Sequence, residues 1–223
     1  MLCAALVVLS VALGGGGTPA PLPELVLQLL FLAAFILWVA SGRSGQLVRG
    51  RGILDAPVLA GVVLLLLLVC AQLIVLPPGL WAELPGREQV AATYGLLGNK
   101  SAWHPMTVTP GGTTAAALSL IPPIFMLLFV AQLPLVDRTR LLAVLAGATL
   151  LSALLGALQV VGGGTFLRLY SQTHVGFATG FHANRNAAAD LFLVGILAAA
   201  TFAAARRYRH VSGRLRLLSA AVG

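Results

Sequence analysis

Length, composition and charge define the class of protein. The chain has 223 residues, of which 59% are hydrophobic and 9% are charged, whereas soluble domains carry about 25% charged residues. Its mean hydropathy is +0.97, so a soluble globular protein is excluded and we predict an integral membrane protein. The formal net charge of +8 does not indicate a nucleic-acid partner, because the basic residues lie in short gaps between apolar runs, where they determine topology.

Apolar runs along the chain predict an all-α fold, a polytopic transmembrane bundle. A helix of about 20 apolar residues crosses a bilayer, and six runs approach or reach that length: Met1 to Leu13, Leu22 to Ala40, Ala56 to Leu76, Thr113 to Leu133, Leu141 to Val161 and Ala187 to Ala205. Leu215 to Val222 resembles the start of a seventh helix that is cut off. We therefore expect residues 1–223 to form a single transmembrane domain, part of a larger bundle, with a kink at Pro122 and Pro123.

The connectors between these runs predict the orientation. Positive charge is retained on the cytoplasmic side of a membrane, and arginines follow the second, fourth and sixth runs: Arg43, Arg49 and Arg51; Arg138 and Arg140; Arg206, Arg207, Arg209, Arg214 and Arg216. This alternation predicts a cytoplasmic N-terminus. It also places the connectors at Pro77 to Gly112 and Gly162 to Asn186 on the outer face.

Isolated polar and aromatic residues predict further local features. Trp81, Tyr94 and Trp103 in the first outer connector favour the headgroup level, and Glu83 to Leu97 could form a short amphipathic helix on the membrane surface. Single glutamines in the apolar helices predict hydrogen bonds between helices, although any one of them could instead line a cavity: Gln28, Gln72, Gln132 and Gln159.

The polar stretch from Arg168 to Leu193 is the strongest candidate site. Asn184 is suited to cap a helix that begins near Arg185, and the positive end of that helix, its free amides and Arg185 predict an anion site at the outer face. Asp190 would lie in the apolar zone, where an ionisable residue usually faces the bundle interior and is functional. The candidate ligand-binding residues are Arg168, His174, His182, Asn184, Arg185, Asn186 and Asp190.

A non-enzymatic interpretation of the same residues stays open. Asn186 and Asp190 could join helices by hydrogen bonds, and Arg185 could reach lipid phosphates. Cys3 and Cys70 lie in apolar runs without a CxxC pattern, so we predict no metal site. The sequence contains no G-x-x-x-x-G-K-[ST], H-E-x-x-H or G-x-S-x-G motif, which leaves nucleotide hydrolysis, zinc proteolysis and serine hydrolysis without support.

One segment of the stretch resembles a known family. GFATGFHANRNAAADLFLVG is similar to the G-x-F-x-N-x-N-x-x-A signature of the O-antigen ligase and O-antigen polymerase family, and the matching residues are Gly180, Phe181, Asn184, Asn186 and Ala189. The segments QLIVLPPGLWAELPGRE and WHPMTVTPGGT also resemble the first outer loop of many members. Many relatives carry an arginine three residues before the motif glycine, where this chain has Phe177.

The resemblance implies a polytopic membrane glycosyltransferase of the bacterial inner membrane. Such enzymes transfer a glycan from undecaprenyl diphosphate to a hydroxyl of the lipopolysaccharide core or of a growing polysaccharide, without a cofactor, a nucleotide sugar or a required metal. The family histidine that acts as base lies on a later loop, so the chain corresponds to the N-terminal half and is expected to be inactive alone. Ligase and polymerase are equally compatible, and a non-enzymatic polytopic protein or transporter fragment is the alternative.

Overall fold

The computed structural model describes residues 1–15, 21–42, 56–98, 101–163, 166–170 and 174–222, with side chains as far as Tyr208 in the last helix. Helices dominate these ranges, as predicted: α1 Leu2–Leu13, α2 Pro21–Ala40, α3 Ala56–Gln72, α4 Pro78–Ala82, α5 Glu88–Leu96, α6 Pro110–Ser119, α7 Ile121–Ala131, α8 Leu135–Val161 and α9 Arg185–Val222. One short antiparallel ribbon, β1 Val75–Leu76 with β2 His104–Pro105, was not predicted.

Within the described ranges, four helical segments are long and apolar enough to cross a membrane: Pro21–Ala40, Pro110–Ala131, Leu135–Val161 and Arg185–Tyr208. Helices α1 and α3 are apolar but shorter, with 12 and 17 residues. Six spanning helices are therefore not confirmed. The expected start of a seventh helix at Leu215 is wrong, because α9 continues without a break to Val222.

Two helix ends differ from the sequence-based bounds for clear reasons. Helix α3 ends at Gln72 rather than at Leu76, because Val75 and Leu76 pair with the second strand. The fourth run is divided at Leu120 into α6 and α7. The division lies next to the kink predicted at Pro122 and Pro123, because proline lacks the amide that would donate to the preceding turn.

Helix α8 begins at Leu135, six residues before the predicted start at Leu141. The connector to α7 is correspondingly short, and the side chain of Arg138 is hydrogen-bonded to it and to the end of α7. Its Nε donates to the carbonyl oxygen of Leu133 at 2.9 Å, and its NH2 group donates to that of Ala131 at 2.8 Å. A cation at the end of α7 satisfies carbonyls that lack helical partners and interacts favourably with the helix dipole.

The structure comprises two compact units, of which the first contains residues Met1–Ser44 and Phe125–Gly223. In this unit α8 packs against α9 and α1, and α1 also packs against α2. A Cβ atom on Gly195 would overlap the side chain of Thr149, so glycine is what allows α9 to approach α8 this closely. Phe31, Ala188, Ser152 and Gln159 are almost completely buried within the unit.

The second unit contains residues Gly45–Ile124. Helix α3 packs beside α6, yet buries none of its own side chains, and Leu64 is 69% exposed. An apolar helix with this much uncovered surface is compatible with a lipid bilayer as its surroundings. The orientation of the chain in the membrane stays a prediction, as does the single-domain assignment. Arg43, Arg49 and Arg51, on which the orientation partly depends, lie outside the described residues.

Candidate functional site

The connector between α8 and α9, residues 162–184, is anchored by a glutamine of α8. Gln159 is fully buried, and its Nε2 donates to the carbonyl oxygens of Leu167 at 3.0 Å and Gly180 at 2.9 Å. Its Oε1 accepts from the hydroxyl of Thr179 at 3.1 Å and from the amide of Gly180 at 2.9 Å. Gln159 thus binds two separate parts of the connector, rather than another helix as predicted for the glutamines.

Gly180 allows the connector to lie directly on α8. Its φ angle is +57°, a left-handed conformation that costs other residues about 1–2 kcal/mol. A Cβ atom at Gly180 would overlap the carbonyl oxygen and hydroxyl of Ser152, and the same hydroxyl accepts from the amide of Phe181 at 3.2 Å. The glycine of the family-like motif therefore has a structural reason in this chain.

The end of α1 holds the other side of the connector. The amide of Ala183 donates to the carbonyl oxygen of Gly15 at 2.8 Å, and a Cβ atom on Gly15 would overlap the backbone of Phe181 and His182. The connector is therefore fixed between α1 and α8 immediately before α9 begins.

The start of α9 confirms the predicted cap. Asn184 Oδ1 accepts from the amide of Asn186 at 2.8 Å, as expected of an N-cap residue. The amide of Arg185 donates to Nδ1 of His174 at 3.3 Å. Two amides of the first turn are thus already paired inside the chain, and the helix start has fewer free donors than the sequence suggested.

Two arginines contact Phe177. The NH2 group of Arg168 donates to the carbonyl oxygen of Phe177 at 3.0 Å, and its NH1 group donates to the hydroxyl of Thr179 at 2.8 Å. The guanidinium carbon of Arg185 lies 4.4 Å from the centre of the Phe177 ring, within the range of a cation–π contact. Two guanidinium groups therefore lie beside residue 177.

The two arginines differ in their exposure and in the hydrogen bonds that their side chains make. Arg168 is partly buried and bridges backbone and side chain of the connector. Arg185 is exposed, and its side chain donates no hydrogen bond to the residues that the structure describes. Arg185 is consequently the cation best placed to meet an external anion.

The two histidines of the stretch have different surroundings. His174 is exposed and lies edge-on to Phe177, with ring centres 6.5 Å apart. His182 is partly buried, its Nδ1 atom has no hydrogen-bond partner, and burial lowers the pKa of its imidazole. His182 is therefore mainly neutral at pH 7 and carries a lone pair or N–H group to which no described residue is hydrogen-bonded.

Asn186 and Asp190 lie one turn apart on α9, and both side chains are exposed. Ala188 is the fully buried residue of that turn, and Asp190 lies on a different face of α9 that is exposed in this unit. The expectation that Asp190 faces the interior of a larger bundle stays a prediction. Among the described residues, Asp190 has no ion pair.

The sequence did not indicate Gln159, Ser152 or Thr179 as site residues, and all three are almost completely buried. The described residues contain no group of three His, Cys, Asp or Glu side chains that could hold a metal ion. No protein-family model matches the chain, and neither a curated protein nor a solved structure matches it.

Proposed function

We propose that this protein is an O-antigen ligase-like membrane glycosyltransferase component that binds a lipid-linked diphosphate at the start of α9. The observation that carries the proposal is the pair of guanidinium groups around Phe177, one hydrogen-bonded to its carbonyl oxygen and one 4.4 Å from its ring. An arginine at position 177 is expected in the resembled family to hold the diphosphate. Arg185 and Arg168 can supply that charge from neighbouring positions.

The chemistry of the transfer explains why cations are needed here. The acceptor hydroxyl forms a new bond to the anomeric carbon of the glycan, the bond from that carbon to the diphosphate breaks, and the hydroxyl proton passes to a base. Charge develops on the diphosphate as it leaves. Guanidinium groups bind phosphate oxygens through charge-assisted hydrogen bonds and stabilise that charge.

The donor is anchored in the membrane, so its diphosphate lies at headgroup depth. In the proposed orientation, with the N-terminus in the cytoplasm of a bacterial inner membrane, the start of α9 opens at the outer face. Arg185 is the first residue of a helix that is apolar enough to span the bilayer, which puts its charge near the height of the diphosphate. The acceptor would be the lipopolysaccharide core, or a growing glycan if the protein is a polymerase.

A non-enzymatic role has its own supporting observation. Arg168, Gln159 and Thr179 are hydrogen-bonded to one another or to the connector backbone, so much of the polar stretch serves to join α8 to α9. In that case substitutions at exposed positions should leave any cellular function of the gene unchanged.

The test is glycan transfer in a strain that lacks its own O-antigen ligase and expresses the full-length gene that encodes this chain. Arg185→Gln is the decisive variant, and Arg206→Gln is the matched control, because Arg206 also lies over a phenylalanine ring, 5.7 Å from that of Phe202. Removing one charged donor to a transition state typically costs about 100-fold in rate. We expect such a loss for Arg185→Gln and an unchanged lipopolysaccharide ladder for the control.

Alanine substitutions at Arg168, Asn184 and Asp190 complete the series. Full transfer activity in these three variants and in Arg185→Gln would refute the site. No transfer by the wild-type gene, with the protein present in the membrane, would favour the non-enzymatic role.

A further inference from the structure

The second unit contains a buried arginine that has no anionic partner. Arg87 is only 8% exposed, and its NH2 group donates to the carbonyl oxygen of Met106. Its Nε and NH1 atoms are buried and have no hydrogen-bond partner among the residues that the structure describes. The ion pair between Arg140 and Asp137 is the one found among the described residues, so no carboxylate in that part of the chain neutralises Arg87.

A buried charge is strongly unfavourable unless it is paired and hydrogen-bonded. Arginine keeps its proton in proteins, so Arg87 cannot become neutral as a buried lysine can. An anion from outside the described chain would remove this penalty. The unpaired nitrogen atoms therefore indicate a ligand.

An aromatic frame fixes Arg87 in place. The guanidinium carbon lies 5.3 Å from the ring centre of Trp81, and Trp81 Nε1 donates to the carbonyl oxygen of Pro105 at 2.8 Å. The His104 ring lies 4.8 Å from that of Trp81 and is stacked on Tyr94 at 4.2 Å. Since the ribbon also holds His104 and Pro105, Arg87 belongs to a built site rather than to a mobile surface.

The position of this frame in the chain indicates which anion is available to bind Arg87. Residues 73–109 join the end of α3 to the start of α6, two apolar helices that pack side by side, so the frame lies at one end of both. Large apolar side chains on it are uncovered, with Leu96 90% and Leu97 72% exposed. Such a surface favours the membrane interface, where the abundant anions are lipid phosphates.

We infer that Arg87, framed by Trp81, Tyr94 and His104, is a binding site for a phosphate group, supplied by an anionic lipid headgroup. The site belongs to the second unit and does not depend on glycan transfer. Guanidinium–phosphate pairs are strong, charge-assisted contacts. Because both unpaired nitrogen atoms are covered, a side chain of the frame must move for the phosphate to enter, and the bound lipid should exchange slowly.

Native mass spectrometry of the full chain measures this directly. The wild type is purified in a phosphate-free maltoside detergent and exposed in separate arms to phosphatidylglycerol, to diacylglycerol and to inorganic phosphate. Arg87→Met removes the charge and keeps an apolar side chain, and Arg87→Lys keeps the charge. The exposed, ion-paired Arg140 supplies the control Arg140→Gln.

We expect the wild type and Arg140→Gln to retain one more phosphatidylglycerol molecule than Arg87→Met, and Arg87→Lys to retain it with a faster loss. Retention of inorganic phosphate with the same dependence on Arg87 would support the phosphate site and assign a soluble source. Equal retention by the wild type and Arg87→Met would overturn the inference. If neither Arg87 variant folds, equal retention of phosphatidylglycerol and diacylglycerol by the wild type would overturn it, and preferential retention of phosphatidylglycerol would support it.

Discussion

Two connectors of this protein each contact a buried polar side chain, and the two side chains differ in how completely they are hydrogen-bonded. Gln159, beneath residues 162–184, uses both amide hydrogens and accepts two hydrogen bonds at its oxygen, so its bonding capacity is filled. Arg87, in residues 73–109, leaves Nε and NH1 without partners. The amide of Gln159 therefore has a structural role, whereas the guanidinium group of Arg87 can still donate hydrogen bonds to a ligand.

Removing the side chain of Gln159 should have the largest effect. Gln159→Met keeps the length of the side chain but leaves the buried amide and carbonyl of Gly180 without partners. Each unsatisfied buried group costs about 1–3 kcal/mol, so we expect the free energy of unfolding to fall by roughly 3 kcal/mol, as measured by denaturant titration in detergent. Gln28→Met is the control, since Gln28 bonds only to Glu24 of its own helix. Equal losses in the two variants would contradict the anchoring role.

Gly180→Ala should have an effect of similar size. The added methyl group would overlap Ser152, and the φ angle is positive, so left-handed strain and overpacking together predict a loss of about 2–4 kcal/mol. Gly176 also has a positive φ, +83°, but no atom near its Cβ position. Gly176→Ala therefore measures the strain alone and should cost about 1–2 kcal/mol. If the two variants are equally stable, the contact with Ser152 is not tight.

Arg87→Met should behave unlike Gln159→Met. Replacing a buried, unpaired charge by an apolar side chain of similar size is often neutral or stabilising. In phosphate-free detergent we expect the free energy of unfolding to stay within about 1 kcal/mol of the wild type or to rise. A loss as large as that of Gln159→Met would show that Arg87 is satisfied inside the protein.

His182 should give the smallest effect, visible only as a dependence on pH. Burial lowers its pKa below the ordinary value of 6.5, so the unfolded chain binds the proton at a higher pH than the folded chain does. The contribution of His182 to the free energy of unfolding is therefore fully present above about pH 6.5, and it is lost as the pH drops through the folded-state pKa. Thermal unfolding at pH 7.5 and pH 5 should show this decrease in the wild type and less of it in His182→Gln. An equal decrease in both would assign the dependence to other groups.

Local features of the sequence were predictable where neighbouring residues decide them. The cap at Asn184, the helix start at Arg185 and the interruption before Pro122 each depend on contacts within one helical turn. The predicted hydrogen bond to another helix was wrong for Gln159. Its partner Gly180 lies in the connector, 21 residues further along the chain. Nothing in the apolar sequence around Gln159 indicates that a connector folds back onto it.

Arg87 and Asp190 show the same limit for charged residues. Arg87 stands in a polar connector and has the pattern of a surface residue, yet the ribbon and Trp81 bury it. Asp190 stands in an apolar run and has the pattern of an interior residue, yet it is exposed. In both cases burial depends on which distant elements pack together, and neither hydrophobic periodicity nor capping patterns specify that.

The binding of undecaprenyl diphosphate to the start of α9 tests the central claim most directly. Its affinity should be measured for the wild type, Arg185→Gln and the control Arg206→Gln in the same detergent. A hydrogen bond to a charged group contributes about 1.5–3 kcal/mol, so we expect Arg185→Gln to bind roughly 10- to 100-fold more weakly and the control to bind like the wild type. Unchanged affinity in Arg185→Gln, or an equal loss in both variants, would contradict the proposed site.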